Sequence, residues 1–173
     1  DGSLLRTVGD LVPDLSTDLL AFFHDRLKVY LKDQGLKYDV IDACLMLDGG
    51  DDLWLIATRA KALGEILKTE DGENLVQGFK RANNILTQAE EKDGVEYSFG
   101  PDVKYAEVPE EKELFAALEA AEADIAKANK AEDFTAAMEA MAKLRAPIDA
   151  FFEAVQVNTD KDVVRRNRLN LLG

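Results

Sequence analysis

Apolar residues recur every three to four positions along most of the chain, which is the spacing of one face of an α-helix. No stretch alternates apolar and polar residues between two tight turns, as a β-hairpin requires. The pattern therefore predicts an all-α protein, a single-domain helical bundle of about seven helices that spans residues 1–173.

Turn and capping residues predict where the first helices lie. The first is expected to begin after Pro13, with Asp14 or Ser16 as its N-cap, and to end at Gly35. A short helix capped by Asp39 is expected next. The first helix should turn one broad apolar face towards the core.

Two longer helices are predicted over about residues 52–68 and 73–92, and residues 94–108 form the longest irregular connection. The apolar spacing predicts buried side chains in all of the first four helices. Among them we expect Phe23, Tyr30, Trp54, Ile56, Leu63, Phe79 and Ile85.

The last third of the chain is rich in Ala and Glu and predicts amphipathic bundle helices. One runs from Pro109, a good first-turn residue, to Lys130. A second follows, and Pro147 must kink or restart it, because proline removes a hydrogen bond from a helix interior. The last helix is expected to begin near Asp160.

Composition and charge indicate a folded protein without a general attraction for polyanions. Hydrophobic residues make up 47% and charged residues 32%, and the net charge is -13. Any nucleic-acid contact must therefore be local. No apolar run approaches a membrane span, and the single cysteine, Cys44, favours a reducing cytoplasm. The missing initial Met suggests an excised fragment.

The chain offers no catalytic or metal-binding constellation. His24-Asp25 is similar to a metal-binding dipeptide of phosphohydrolases, but such a centre needs several histidines and His24 is the only one. A Cys44 nucleophile would need His24 as its base, and nothing in the sequence places the two together. No phosphate-binding loop is present. We therefore expect a non-catalytic binding module.

Positive charge gathers in a few places, most densely near the end of the chain. The clusters are Arg26, Lys28 and Lys32, then Lys80 and Arg81, and finally Arg165, Arg166 and Arg168 with Asn167 among them. The last cluster could hold RNA phosphates and bases, or it could simply complement the dipole of a helix. By charge alone both interpretations stay open.

Several segments together resemble the C-terminal region of bacterial glycyl-tRNA synthetase β subunits. They are residues 22–31 (FFHDRLKVYL), 35–43 (GLKYDVIDA), 80–86 (KRANNIL), 144–152 (LRAPIDAFF), 155–158 (VQVN) and 162–165 (DVVR). The last stands where the Asp-Ala-Leu-Arg pattern that names the DALR domain is expected. Val-Val replaces Ala-Leu there, and the chain stops at Gly173, where family members continue into a helical tail.

This resemblance implies an anticodon-binding domain and its partners. The chain would bind glycine tRNA, read two adjacent cytosines of its anticodon, and work with the α subunit and the remaining β-subunit domains. ATP and magnesium would act at the α-subunit active site, so no cofactor, metal, DNA or membrane is expected for this chain. The favoured tRNA-binding residues are Arg165, Arg166, Asn167 and Arg168, followed by Lys80, Arg81, Arg145, Arg26 and Lys28.

Two alternatives remain beside RNA binding by a glycyl-type domain. The chain could be a helical protein-docking module with little direct RNA contact, which its net charge of -13 supports. An arginyl-type synthetase carries a related domain, but residues 22–28 and 81–86 favour the glycyl family.

Overall fold

Eight α-helices and one short 3₁₀ helix form the regular structure in a computed structural model, which describes residues 3–173 and side chains from Leu15 onward. No strand occurs among these residues, so the all-α prediction is confirmed. The elements are α1 (Ser3–Asp33), α2 (Tyr38–Leu45), α3 (Leu53–Ile66), α4 (Glu70–Asp93), the 3₁₀ helix (Val103–Tyr105), α5 (Pro109–Lys130), α6 (Phe134–Ala142), α7 (Arg145–Ala154) and α8 (Asp162–Leu172).

The chain folds as two compact units, which are described separately. Unit 1 is Asp1–Glu65 and unit 2 is Ile66–Gly173. The sequence predicted one domain, and that organisation stays a prediction. The functional candidates divide between the units, with Arg26 and Lys28 in unit 1 and the others in unit 2.

Unit 1 has a small apolar core of Leu31, Ile41, Cys44, Ile56 and Ala60. Its first helix passes through Pro13, so the predicted start after that residue is wrong. The apolar positions before the proline continue the helical period, and the helix extends back along them. The expected cap Ser16 therefore lies inside α1, and the side chain of Asp14 is outside the described residues.

The second helix also begins earlier than predicted, with Lys37 rather than Asp39 at its N-cap. Asp39 lies in the first turn, where its carboxylate accepts a hydrogen bond from the N–H of Val40 at 2.9 Å. The positive end of the helix dipole also stabilises a carboxylate in the first turn. The aspartate thus stabilises α2 from inside its first turn.

Three aromatic side chains expected in the core of unit 1 are instead well exposed. Phe23, Tyr30 and Trp54 keep 42%, 52% and 64% of their accessible surface. Each shares a helix with a buried residue, but the small core uses only part of each apolar face. Helical spacing predicts a face and does not predict how much of it a neighbour covers.

Unit 2 carries the larger core, which joins α4, α5, α7 and α8. Its fully buried centre is Phe151 and Leu169. Helix α4 begins at Glu70, three residues before the predicted start, because Thr69 caps it by accepting from the N–H of Gly72 at 3.1 Å. Phe79 was expected in this core but is 68% exposed.

Proline and glycine positions mark the remaining boundaries as the sequence predicted. Pro147 lies in the first turn of α7, so the chain restarts its helix there rather than kinking. Gly94 closes α4 with a left-handed φ of 67°. The connection 94–108 that follows is irregular apart from its 3₁₀ turn, Val103–Tyr105.

Candidate nucleic-acid interface

Arg168 of α8 lies in the interior of unit 2, with its side chain 8% exposed. Its Nε donates to Oε1 of Glu111 at 2.7 Å, and Nη2 donates to Oε2 of the same carboxylate at 3.3 Å. Nη1 donates to the backbone carbonyl of Gln156 at 3.0 Å. A guanidinium so engaged anchors α8 to α5 and has little left for an external ligand.

Glu111 accepts hydrogen bonds from backbone N–H groups in addition to those from Arg168. Its Oε2 accepts from the N–H groups of Glu107 at 2.8 Å and Val108 at 3.0 Å, which the start of α5 would otherwise leave unpaired. Burial acts to raise the pKa of Glu111, but hydrogen bonds from Arg168 and these two N–H groups outweigh it and hold the pKa below its ordinary value. The carboxylate is therefore ionised inside the fold.

Arg165, the arginine of the Asp-Val-Val-Arg segment, connects α8 to α4. Its guanidinium lies 2.7 Å from Oδ2 of Asp93 and donates to Asn158 Oδ1 at 3.1 Å and to the hydroxyl of Tyr97 at 3.3 Å. Hydrogen bonds from Tyr97 and from Arg165 hold the pKa of Asp93 below its usual value. The arginine of the Asp-Val-Val-Arg segment therefore holds α8 against α4.

Asn167 ties α8 to the irregular connection. Its side chain is buried, and Oδ1 accepts from the backbone N–H of Asp102 at 2.7 Å. Three of the four favoured residues thus have internal partners. Arg166 differs, because it is exposed and has no hydrogen bond or ion pair with the part of the chain that the structure describes.

The helix geometry places Arg166 between two features of the surface. Successive residues of an α-helix turn by about 100°, so Arg165 and Asn167 point to nearly opposite sides. Arg165 faces α4 and Asn167 faces the connection 94–108. Arg166 lies between them on the exposed side of α8.

Lys80 and Arg81 lie exposed on α4. The guanidinium of Arg81 stacks over the ring of Phe152, 4.4 Å from its centroid, so one face of this cation is fixed by packing. Gln88 and Lys92 follow Arg81 at seven and eleven positions, which puts all three on one face of the helix. The stripe from Arg81 to Lys92 covers about 16 Å.

This face borders a polar cleft of about 650 Å³ between the end of α4 and the start of α8. Its walls offer amide, hydroxyl, ammonium and carboxylate groups together. The lining residues are Ile85, Gln88, Ala89, Lys92, Asp93, Asn158, Thr159, Asp160, Asp162 and Arg165. The sequence prediction missed Gln88, Lys92 and Thr159, and only the helical spacing from Arg81 could have indicated the first two.

Arg145, Arg26 and Lys28 each have partners within their own unit. Arg145 of α7 pairs with Asp71, Glu70 at 3.4 Å and Asp149 at 3.7 Å. In unit 1, Arg26 stacks over Phe22 at 5.3 Å, and the Lys28 ammonium lies 2.8 Å from a carboxylate oxygen of Asp42. The structure therefore brings together only the α8 cluster and the α4 stripe within unit 2.

The groups that suggested other chemistry have ordinary partners. His24 Nε2 lies 2.5 Å from the carbonyl oxygen of Gly50, so its ring N–H donates there. Cys44 is buried in the core of unit 1, and burial raises the pKa of its thiol. Among the described residues, no cluster of His, Cys, Asp or Glu could hold a metal ion. None of the helices in that part of the chain could span a membrane.

Unit 2 also contains an apolar cavity of about 460 Å³. Leu118, Ile148, Phe151 and Phe152 are among its lining residues, and none of the lining residues is charged. Phosphate and base edges need polar partners, so this cavity does not suit them.

Unit 2 is a helical unit with a polar cleft between α4 and α8. The chain belongs to the family of DALR anticodon binding domains, whose family model matches residues 75–173. These residues include both sides of the cleft and all of α8.

Curated relatives point to one kind of synthetase. The chain is 68% identical to the glycine–tRNA ligase beta subunit of Dinoroseobacter shibae over 94% of its own length and 22% of the relative's. It is 69% identical to that of a Ruegeria species over 90% of the chain and 23% of the relative. It is 62% identical to that of Paracoccus denitrificans over 98% of the chain and 25% of the relative. The chain thus spans about a quarter or less of these relatives, and the predicted resemblance is confirmed.

Proposed function

We propose that this chain binds the anticodon loop of glycine tRNA as part of a glycine–tRNA ligase β subunit. The observation that carries the proposal is the polar cleft between α4 and α8, which lies inside the matched family region and has Lys92 in its lining, with Arg81 on the same face of α4. Arg81, Lys92 and Arg166 contact phosphates, and the cleft receives unstacked bases.

The groups in the cleft suit cytosine better than uracil. Cytosine offers an amino donor at N4 and acceptors at N3 and O2. The carboxylates of Asp160 and Asp162 and the amide oxygen of Asn158 can accept from N4, while Lys92 can donate to O2. Uracil presents a carbonyl where cytosine has its amine, so the same acceptors would repel it. The cleft therefore reads one of the two adjacent cytosines that a glycine anticodon carries.

Arg165, Asn167 and Arg168 contribute by holding this surface in place. Their side chains connect α8 to Asp93, to the backbone of Asp102 and to Glu111. In this proposal Arg166 is the member of the cluster that contacts RNA, and the other three are positioning residues. Arg145, Arg26 and Lys28 carry no anticodon contact.

We further propose that the chain acts beside an α subunit and other β-subunit domains, in the cytoplasm. ATP and magnesium are then needed only at the α-subunit active site, where glycine is joined to tRNA. Unit 1 is suited to the protein contacts, because Leu15, Leu19, Phe22 and Val29 leave an exposed apolar stripe along α1. This protein-docking role belongs to unit 1 and adds to RNA binding by unit 2.

Salt dependence tests the proposal and separates RNA binding from protein docking. Fluorescence anisotropy would follow binding of a labelled glycine-tRNA anticodon stem-loop to the chain at increasing salt. Three cations at the interface, Arg81, Lys92 and Arg166, predict a log–log slope of about -2. A flat dependence, or no binding at low salt, would contradict RNA binding. Lys130→Gln, an exposed change at the end of α5, is the control and should leave the slope unchanged.

A further inference from the structure

Phe99 is the most exposed aromatic residue among the described side chains, with 81% of its surface accessible. It lies in the irregular connection 94–108, which the sequence prediction assigned no function. An exposed aromatic ring offers a flat face on which a nucleic-acid base can stack.

Anchors on both sides hold the backbone that presents this ring. On one side Tyr97 is buried, its N–H donates to Glu90 at 3.0 Å and its hydroxyl donates to Asp93 at 2.6 Å. On the other side the N–H of Asp102 donates to the buried Asn167. Gly100 turns the chain between these anchors with a left-handed φ of 73°. Phe99 is thus displayed on a fixed backbone, which lowers the entropic cost of binding.

Several carboxylates beside this segment have partners within unit 2, and Glu96 is exposed. Three nearby carboxylates already have partners, since Glu90 accepts from Tyr97, Asp93 pairs with Arg165, and Asp102 pairs with Lys104. Arg166 of α8 is unpaired among the described residues and adjoins Asn167, which holds this segment. Arg166 thus adjoins the residue whose side chain holds Asp102, three positions after Phe99.

We propose that Phe99 is a stacking platform for an unpaired base of the bound RNA loop, with Arg166 holding the adjoining phosphate. This inference rests on the proposed function and adds a second contact, outside the residues that line the cleft. Stacking suits this position because every base has a flat face, and a single ring on a rigid backbone can receive it without rearrangement. Stacking on Phe99 holds the RNA loop in place, and the cleft recognises the cytosine.

The test compares Phe99→Ala with Phe99→Trp and with Trp54→Ala, a control that removes an exposed aromatic ring from unit 1. The probe is the glycine-tRNA anticodon stem-loop with 2-aminopurine beside the two cytosines, whose fluorescence is quenched by stacking. Phe99→Ala should weaken binding roughly tenfold or more and change the quenching. Phe99→Trp and Trp54→Ala should bind as the unchanged chain does.

The outcomes separate this inference from the proposed function. If the unchanged chain binds and Phe99→Ala binds equally well with the same quenching, the stacking platform is wrong and anticodon binding stands. Protein docking would then have to explain the exposed ring. If the unchanged chain does not bind the stem-loop at all, both proposals fall. Far-UV circular dichroism should be the same for every variant, because neither ring is buried.

Discussion

The guanidinium of Arg168 and the carboxylate of Glu111 meet through two hydrogen bonds, at 2.7 and 3.3 Å, in the interior of unit 2. The two residues are 57 positions apart in the chain. The same carboxylate closes the first turn of α5 by accepting from Glu107 and Val108. One ion pair therefore joins the last helix to the end of the irregular connection and to the start of α5.

Breaking this ion pair from one side should be strongly destabilising. Arg168→Met leaves an ionised carboxylate buried without its main partner, and we expect the free energy of unfolding to fall by about 3–5 kcal/mol. Urea denaturation followed by circular dichroism measures it. The exposed Arg166, two positions earlier on α8, gives a matched control, since Arg166→Met should change stability by less than about 0.5 kcal/mol. Equal effects of the two substitutions would mean that Arg168 is not buried in an ion pair.

Acid should weaken unit 2 through Glu111. The pKa of this carboxyl in the folded state lies below its ordinary value of 4.5. In acid the folded state therefore binds fewer protons than the unfolded state. The stability it contributes is complete above that ordinary value and is lost as pH falls through the lower folded pKa. Urea midpoints measured from pH 7 downward should therefore drop in acid. Glu111→Gln should be less stable at pH 7 and lose part of the acid dependence; an unchanged dependence would contradict the assignment.

Two asparagines of α8 should respond differently to truncation. Asn167→Ala removes the acceptor for the N–H of Asp102 and should cost about 1–3 kcal/mol while loosening the connection 94–108. The Oδ1 of Asn170 is buried without a hydrogen-bond partner among the described residues, so Asn170→Ala should be neutral or slightly stabilising. Hydrogen exchange at the Asp102 amide should accelerate only in Asn167→Ala. Unchanged protection there would show that Asn167 does not hold the connection.

Helix type and family could be predicted from the sequence, because both depend on local patterns. Apolar spacing predicted the all-α fold, and the segments around Arg81 and Arg165 predicted the family. The roles of the α8 residues could not be predicted in this way. A helical pattern does not reveal which distant element covers a side chain, and Arg168 meets a carboxylate 57 residues away. Trp54 and Phe79 show the same limit, since both follow the apolar spacing and yet lie exposed.

Arg166 should be the arginine of α8 whose loss affects RNA binding without affecting stability. Arg166→Gln removes one phosphate contact and should reduce the magnitude of the salt slope by about one for the anticodon stem-loop. Lys130→Gln, at an exposed position on α5, should leave both affinity and slope unchanged. Anisotropy titrations at several salt concentrations measure both quantities. If Arg166→Gln and Lys130→Gln changed the salt slope equally, the attraction would be a nonspecific effect of charge.

Recognition of cytosines distinguishes the proposed anticodon binding from a general attraction to RNA. The most direct measurement compares the affinity of the chain for the glycine-tRNA anticodon stem-loop with its affinity for the same stem-loop carrying uridines in place of the two cytosines. Length, stem and phosphate charge are identical, so only base recognition can differ. We predict a loss of at least about tenfold on replacement, because uridine turns a carbonyl oxygen towards the carboxylates of Asp160 and Asp162 where cytosine donates from N4. Equal affinity for the two loops would contradict cytosine recognition by this chain.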